Sequence, residues 1–502
     1  MAKARPETRS AEIRSRLDHP IIDVDGHLLE FAPSFVDYLR KIGGTAFAER
    51  YLAKYRAAGV APLTPEERRQ QRRRRGYWWA APMANTLDAV TPYLPKLLCE
   101  RMDAFGIDYS LVYPSSGLLI GAIADDEDRL IACRALNEMH AELYNREHSA
   151  RLTVPAVLSM KRPEEAIAEL EHAVGTLGFK AVMFPAGVWR PVKALQDRFP
   201  GLESSRPDGI WLDNYGLDSE YDYDPFWIRC TELGVAATSH GAAAPGEPWG
   251  SRSISNWTFN HIGNQPWQQN MLCKSLYIGG VSRRHPALNF AFLECGVAWA
   301  CTLLSDTVSH WEKRNVEALA NVDPSRLDRE EASRLMLEYG GKRFEGRIDT
   351  RVNCFPMEND PPLESETLDD FIHMKIHEKE DLGRLFDNFY FGCEADDRMN
   401  ALAFNTRINR FGKRLNAIFS SDIGHFDVVD MTKVVEEAYE LVEDEAMTPV
   451  DFRDFTADNP IRLHGRMNSK FFEGTSVEAY AAEVLARDRS EAEGEGSVAA
   501  RT

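Results

Sequence analysis

The chain has 502 residues, of which 44% are hydrophobic, so it is long enough for a large α/β barrel with insertions. Its formal net charge of −19 argues against nucleic acid as a partner, because phosphate binding needs a basic face. The charged N-terminus does not resemble a secretory signal, and no apolar run reaches the roughly 18 residues of a membrane span. Eight dispersed cysteines without a Cys-x-x-Cys pair fit reduced thiols. These features predict a soluble cytoplasmic protein that binds neither nucleic acid nor membrane.

Eight short apolar runs predict the strands of the fold. They are residues 21–24, 109–113, 152–158, 179–184, 235–239, 288–293, 388–392 and 417–421. Their continuous hydrophobicity is typical of parallel strands that are buried on both faces. Amphipathic stretches between them, such as 163–178 and 434–444, predict helices. Eight alternating strand and helix units predict an α/β fold, a (β/α)8 TIM barrel.

The remaining length is expected in extensions and long loop insertions. The predicted parts are an N-terminal extension at 1–19, a barrel at 20–483 with insertions at about 40–95, 186–222, 241–284 and 313–385, and a disordered tail at 484–502. The basic stretch at 68–79, RRQQRRRRGYWW, is expected to be a solvated helix face followed by packing aromatics. A lid or a subunit contact is its alternative interpretation.

Imidazoles and carboxylates follow five of the eight apolar runs. They are Asp25 and His27 after the first, His240 after the fifth, Glu294 after the sixth, Glu394 after the seventh, and Asp422 and His425 after the eighth. Barrel enzymes build their active sites at these strand ends. Such groups are costly to bury unpaired, and a divalent cation would relieve that cost. Each motif alone has an ordinary interpretation as a turn, a cap or a core histidine, but their order predicts a metal site. Gly26 is expected to permit a turn between the first two ligands.

Five segments together resemble the amidohydrolase-2 branch of the amidohydrolase superfamily, which includes aminocarboxymuconate-semialdehyde decarboxylase and resorcylate-type decarboxylases. They are residues 21–30, 101–115, 177–185, 285–299 and 418–427. The resemblance covers roughly residues 20 to 470, with the insertions outside it. It implies one divalent metal, usually Zn or Mn, at the barrel mouth, with Asp25, His27, His240 and Asp422 as ligands. Family members commonly have His-x-His or Glu-x-His at the first strand, so Asp25 is a variant whose hard carboxylate favours Mn or Fe.

The sixth strand departs from this family pattern. The decarboxylases have a histidine there that works as acid or base, and this chain has Glu294. We therefore expect Glu294 and His425 to be the catalytic groups, although Glu294 could instead bind a second metal. Substrate contacts are expected from His261, Trp257 and Glu394. His310, in contrast, is expected to be a surface or packing residue.

The resemblance implies an enzyme that hydrolyses or non-oxidatively decarboxylates a small carboxylated or aromatic substrate. A dinuclear iron-type monooxygenase on the same barrel is one alternative, because extra carboxylates and histidines would suit two metals. An inactive barrel that serves as a partner subunit is the other. Dimers are usual in the family, so a homo-oligomer is expected.

Overall fold

The structure is a computed structural model that describes residues 8–59, 64–72, 74–75, 82–121, 123–199, 209–240, 253–348 and 368–499. Its strands are β1 (Ile22–Leu28), β2 (Tyr109–Pro114), β3 (Leu152–Thr153), β4 (Ala156–Val157), β5 (Val182–Met183), β6 (Val188–Pro191), β7 (Ile210–Asp213), β8 (Ala237–Ser239), β9 (Phe290–Phe292), β10 (Phe389–Glu394) and β11 (Asn416–Ser420). Its α-helices are α1 (Arg9–Arg16), α2 (Ala32–Gly43), α3 (Thr45–Gly59), α4 (Pro65–Gln71), α5 (Thr86–Val90), α6 (Pro95–Phe105), α7 (Gly117–Ile120), α8 (Asp126–His140), α9 (Arg146–His148), α10 (Pro163–Glu171), α11 (Lys193–Arg198), α12 (Asp224–Leu233), α13 (Trp257–His261), α14 (Asn264–Ile278), α15 (Val281–Arg284), α16 (Ala298–Arg314), α17 (Arg329–Gly340), α18 (Asp381–Arg384), α19 (Val434–Glu443), α20 (Pro449–Arg453), α21 (Asn459–Gly465) and α22 (Glu478–Ala499).

Nine of these strands form a closed parallel barrel. β1 pairs with β2 and β2 with β3, β4 pairs with β5, and β8, β9, β10 and β11 pair in that order. A parallel bridge between Phe184 and Ser239 joins the β5 side to β8. The barrel closes where the amide of Asp422 donates to the carbonyl of Asp25 at 2.9 Å. The predicted (β/α)8 barrel is therefore confirmed, and each of the eight apolar runs overlaps a strand.

The third barrel strand is divided into β3 and β4, with Pro155 between them. Proline has no amide hydrogen to donate, so it interrupts the ladder at this point. The predicted helix at 163–178 begins as α10 at Pro163, with Glu164 and Glu165 in its first turn, and the segment ends at Gly178 with φ of +79°. The insertion at 186–222 contains an antiparallel pair, β6 and β7, that the sequence analysis did not predict.

The two ends of the chain pack against the barrel. Ile13 of α1 is buried, and the Ser10 hydroxyl donates to the carbonyl of Thr432 at 2.6 Å. α22 runs through most of the segment for which we expected disorder, because its Ala, Glu and Arg content favours a helix and Val484 and Leu485 are buried. The seven cysteines of the described part are free thiols. Within the described ranges, the structure has no helix that is both long and apolar enough to cross a membrane.

A cluster of large aromatic side chains fills the space between α12 and the barrel. Trp227 is fully buried, and its ring centroid lies 5.8 Å from that of Phe184 and 5.5 Å from that of Phe290. Trp227→Ala is therefore expected to lower the free energy of unfolding by about 3–5 kcal/mol, since the cavity cannot close fully. The neighbouring Ile228→Ala is the control, because Ile228 is 48% exposed and its loss should cost about 0.5 kcal/mol or less. Urea denaturation of both variants measures the difference, and equal midpoints would contradict the prediction.

Candidate active site

The first strand carries three inward-facing polar side chains at alternate positions. Asp23, Asp25 and His27 are all buried. The register of β1 against β2 shifts between Asp23 and Gly26, so a bulge redirects this part of the strand. The expected turn at Gly26 is wrong, because the strand continues through it to Leu28. Glycine is required here for space, since a Cβ atom would lie 2.8 Å from Asp23 Oδ2.

Asp23 anchors the base of the site, a role that the sequence analysis missed. Its carboxylate accepts hydrogen bonds from the Ser110 hydroxyl at 2.7 Å, from the Ser421 hydroxyl at 2.8 Å and from the Ser421 amide at 2.9 Å. These bonds tie β1 to β2 and to the end of β11. Burial raises the pKa of Asp23 to about 6, although the hydrogen bonds oppose that shift. The Asp-x-Asp-x-His alternation was the signal that could have identified it.

Three of the four predicted metal ligands meet in a triangle at the centre of the barrel mouth. His240 Nε2 lies 3.0 Å from His27 Nε2 and 2.9 Å from Asp25 Oδ1, and His27 Nε2 lies 3.5 Å from that same oxygen. Donor atoms about 2.1 Å from a shared cation are about 3.0 Å apart at right angles and about 3.4 Å apart at the tetrahedral angle. The triangle therefore has the dimensions of one face of a metal coordination sphere.

Asp422 and His425 form a second group around the same His27. Asp422 Oδ1 lies 3.3 Å from His27 Nε2 and 2.7 Å from His425 Nδ1. The His425 ring stacks on the His27 ring with centroids 3.6 Å apart, and its Nε2 lies 3.5 Å from the Ser115 hydroxyl oxygen. Both groups have the composition and spacing of a candidate metal site, and they share His27.

The chemistry of this donor set fits a divalent cation. Both carboxylate oxygens of Asp25 and Oδ1 of Asp422 are buried and make no hydrogen bond of good geometry within the described residues. Burial raises the pKa of Asp422 well above its ordinary value, and the charges of Asp427 and Asp25 raise it further. Burial and the neighbouring histidines lower the pKa of His27, which keeps its imidazole neutral. Carboxylate oxygens without a donor and neutral ring nitrogens are ligands that a metal ion can bind.

Glu294 stands directly beside this cluster. Glu294 follows β9 and has a φ angle of +51°, and Asp422, which follows β11, has the same φ angle. This left-handed backbone conformation costs a non-glycine residue about 1–3 kcal/mol. Glu294 Oε2 lies 3.9 Å from His240 Nε2 and accepts a hydrogen bond from Gln265 Nε2 at 3.3 Å. Burial raises the pKa of the Glu294 carboxyl well above its ordinary value, and Asp422 adds to the rise.

Comparison with known proteins identifies the family of this chain. The sequence profile of the family described as amidohydrolase matches residues 22–324, which is more than half of the chain. The chain belongs to the amidohydrolase family. The predicted family and fold are confirmed, and the family description agrees with the predicted hydrolase class. The matched range includes Asp25, His27, His240 and Glu294, whereas Asp422 and His425 lie beyond it.

Several solved structures of low sequence identity are similar to this chain. The amidohydrolase map2389c from Mycobacterium avium subsp. paratuberculosis K-10 is 17% identical, with 89% of this chain and 100% of that chain covered and a TM-score of 0.50. A 2,6-dihydroxybenzoate decarboxylase from Rhizobium is 15% identical over 89% and 98% of the two chains, with a TM-score of 0.47. A dihydroxybenzoic acid decarboxylase from Polaromonas sp. JS666 with bound manganese and 2-nitroresorcinol is 14% identical over 91% and 99%, with a TM-score of 0.46. No curated protein sequence matches the chain.

Aromatic side chains from α13 and from the segment after β11 lie together at the mouth of this amidohydrolase. Trp257 stacks on His261 with centroids 4.4 Å apart, and Phe426, which the sequence analysis did not single out, lies edge-on to Trp257 at 5.1 Å. Burial lowers the pKa of His261. Glu394 is exposed at the end of β10, where its charge helps to raise the pKa of Glu294. The structure therefore brings the three predicted substrate contacts to the mouth.

The basic stretch of the amidohydrolase lies against the loop that carries Trp257. The amide and the guanidinium of Arg75 donate to the carbonyls of Ser253 at 2.9 Å and Ser255 at 3.0 Å, and Asn260 Nδ2 donates to the carbonyl of Arg75 at 3.0 Å. Residue 73 and residues 76–79 of this stretch lie outside the described residues. His310 differs from the buried metal ligands. It is exposed on α16, and its Nδ1 lies 2.7 Å from the carbonyl oxygen of Asp306.

A buried acid supports the turn behind His425. Glu30 accepts two hydrogen bonds from the amide of Ser116, at 3.2 and 3.0 Å, and lies 3.9 Å from His140 Nε2. Burial raises the pKa of Glu30 to about 7 and lowers that of His140 to about 3. The native state thus holds a proton on Glu30 between about pH 4.5 and 7, where the unfolded chain has released it. This carboxyl therefore lowers stability as the pH rises through that window.

Glu30→Gln should remove this pH dependence. The free energy of unfolding of the variant relative to the wild type is expected to rise by up to about 3 kcal/mol between about pH 5 and 8. Urea denaturation at both pH values measures this difference. Glu473→Gln, at an exposed position, is the control and should show no such rise. A constant difference between Glu30→Gln and the wild type across the range would contradict the prediction.

Proposed function

We propose that this amidohydrolase binds one divalent cation through Asp25, His27, His240 and Asp422 and hydrolyses or non-oxidatively decarboxylates a small aromatic or carboxylated substrate. The observation that carries the proposal is the triangle of Asp25 Oδ1, His27 Nε2 and His240 Nε2, with edges of 2.9 to 3.5 Å. The two carboxylate oxygens of Asp25 and Oδ1 of Asp422 support it, because buried oxygens without a hydrogen bond of good geometry are stabilised by a positive charge.

The ligand set favours one range of metals. Two carboxylates and two imidazoles suit Mn or Fe at least as well as Zn, since hard oxygen donors favour hard cations. When bound, such a cation polarises a substrate oxygen and stabilises the negative charge that develops on it.

The remaining residues have roles that follow from their positions. Glu294 takes a proton from the reacting group, or returns one to it, from its place beside His240. His425 is held by Asp422 and by the stack on His27, so that its Nε2 points towards Ser115. Trp257 and His261 present ring faces to an aromatic substrate.

Removal and return of the metal test this proposal. Chelation should lower the melting temperature and abolish turnover, and Mn or Zn should restore both, because a ligand that binds only the folded state stabilises it. Mass spectrometry of the metal content should give about one ion per chain. The probe substrates are aromatic amides and esters, which report hydrolysis, and dihydroxybenzoates, which report release of CO2. Protein that takes up no ion from any of these metals would refute the proposal.

A dinuclear iron-type monooxygenase is the second candidate function. The observation that favours it is the second ligand group, in which Asp422 and His425 surround the same His27 as the first. Two ions per chain including iron, with turnover that depends on oxygen, would support this candidate in place of the first.

Other expectations stay predictions. They are the domain limits at 20–483, the homo-oligomeric state and the cytoplasmic location. Size-exclusion chromatography with light scattering measures the oligomeric state directly.

A further inference from the structure

The short helix α13 carries two of the predicted substrate contacts, yet it buries little of its own surface. Of its five residues only Asn260 is buried. Trp257 and His261 are half-buried, and Phe259 is 57% exposed. A helix of this length is not stable by itself in water, and little apolar contact holds it in place. The positions of Trp257 and His261 therefore depend on whatever else fixes α13.

The side chain of Asn260 supplies the missing attachment. Its Oδ1 accepts a hydrogen bond from the amide of Ser253 at 2.6 Å, and its Nδ2 donates to the carbonyls of Ser253 at 2.7 Å and of Arg75 at 3.0 Å. An asparagine side chain has two N–H donors and one acceptor oxygen, so each of these groups has a partner here. A buried amide with all its groups paired holds the backbone around it in one arrangement.

The partners of Asn260 are also bonded to each other and to the start of α13. The amide of Arg75 donates to the carbonyl of Ser253 at 2.9 Å. The Ser253 hydroxyl accepts a hydrogen bond from the amide of Asn256 at 2.9 Å, and the Asn256 side chain caps α13 by accepting from the amide of Phe259 at 2.9 Å. The helix and the backbone at Arg75, which come from two different insertions, thus form one hydrogen-bonded unit around the buried asparagine.

The other side of α13 faces the candidate metal ligands through aromatic rings. The ring centroid of Phe426 lies 5.1 Å from that of Trp257 and 6.0 Å from that of His261. Phe426 directly follows His425, whose ring stacks on that of His27 with centroids 3.6 Å apart. A displacement of α13 would therefore change the aromatic surface next to the candidate metal ligands.

We infer that Asn260 is a positioning residue of this site, which holds α13 so that Trp257 and His261 present their rings to the substrate. Asn260 acts through the helix and does not itself contact the substrate, because its amide is occupied by backbone partners. The inference rests on the proposed function, since it concerns the substrate contacts of the same mouth. It follows from hydrogen bonds and burial and does not depend on the protonation of any group.

Fluorine NMR of the full chain labelled with 5-fluorotryptophan tests the inference directly. The chain has ten tryptophans, and the signal that disappears in Trp257→Phe belongs to Trp257. In Asn260→Ala this signal is expected to move towards its position in the unfolded protein, because the rings of His261 and Phe426 no longer surround it. The signal of Trp227, in the core, is expected to stay where it is.

Asn260→Asp is a second variant that keeps the size of the side chain. It retains an oxygen for the amide of Ser253, but it places another oxygen against the carbonyls of Ser253 and Arg75, and two acceptors cannot bond. The Trp257 signal is therefore expected to move in the same direction as in Asn260→Ala. A Trp257 signal that stays at the wild-type position in either folded variant would overturn the inference.

Asn289→Ala is the matched control for loss of a buried asparagine. Asn289 is also buried, and its Nδ2 donates to the carbonyls of Arg462 at 3.1 Å and Leu463 at 2.9 Å. It precedes β9, so it lies at the end of the barrel opposite the mouth. Its loss should lower the melting temperature and leave the Trp257 signal unchanged. Equal movement of that signal in both alanine variants would show a general loss of stability and would contradict a specific role for Asn260.

Kinetics and metal analysis separate this inference from the proposed function. On the probe substrate that is turned over, Asn260→Ala should raise KM about tenfold and change kcat by less than about threefold, because contacts made equally in the ground and transition states affect KM. Its metal content should equal that of the wild type. Wild-type protein that binds no metal and turns over no probe refutes the proposed function, while the Trp257 signal still tests Asn260. Active, metal-bound Asn260→Ala with wild-type KM and an unmoved Trp257 signal refutes the inference alone.

Discussion

Replacing His27 by alanine is expected to abolish metal binding and turnover. His27 Nε2 lies within 3.5 Å of Asp25, of His240 and of Asp422. Loss of an outer partner of a metal ligand typically costs about 10–100-fold in metal affinity or activity, so loss of this shared ligand should cost more than about 100-fold. Mass spectrometry of the metal content and turnover of the probe substrates measure the two effects.

His310→Ala is the matched control for this variant. His310 is an exposed histidine on α16 that binds the carbonyl of its own helix, so its loss should leave the metal content unchanged. Circular dichroism of both variants separates loss of metal from loss of fold. A folded His27→Ala protein that retains one ion per chain would show that the cation is held elsewhere, for instance by Asp422 and His425 alone.

The barrel was predictable because its signals are local. Each buried parallel strand is a short apolar run, and each helix such as α10 carries its own start and stop residues. The order of polar residues at the strand ends also predicted one site, because the C-terminal ends of the strands of a parallel barrel meet at one mouth. For that reason Asp25, His27, His240, Glu294 and Asp422 could be grouped before any distance was known.

The features that the sequence did not reveal depend on contacts between distant segments. Asp23 anchors the site only because Ser110 and Ser421 come to it from two other strands. The bulge in β1 has no local signature beyond Gly26, and the close approach that requires this glycine involves Asp23 and Ile423. The antiparallel pair of β6 and β7 lies in a stretch rich in tryptophan, proline and aspartate, without the alternation that would have predicted a strand pair.

The C-terminal segment, for which we expected disorder, contains α22 for a different reason. Its charge and low hydrophobicity indicated disorder, yet alanine, glutamate and arginine are also strong helix formers. The apolar contacts of Val484 and Leu485 at the start of the segment favour the helix, and composition alone could not reveal that these side chains reach the core.

The second large effect is expected at Glu294, where the chain departs from the histidine that the family resemblance leads us to expect. Glu294→Gln keeps the size of the side chain and its contact with Gln265 but removes the group that accepts a proton. General acid–base groups contribute about 10²–10⁴-fold to the rate, so turnover should fall by that factor while the metal content stays at the wild-type value. Steady-state kinetics on the probe substrate that is turned over, together with metal analysis, measure this result.

Two further variants serve as comparisons for Glu294→Gln. Glu394→Gln removes an exposed carboxylate of the same mouth and should change KM more than kcat, because Glu394 lies at the end of β10 and not beside His240. Glu294→His restores a proton-transferring group at the same position and should therefore keep more activity than Glu294→Gln. Wild-type turnover in Glu294→Gln would assign proton transfer to another group, and His425, held between Asp422 and Ser115, is the residue that the geometry then favours.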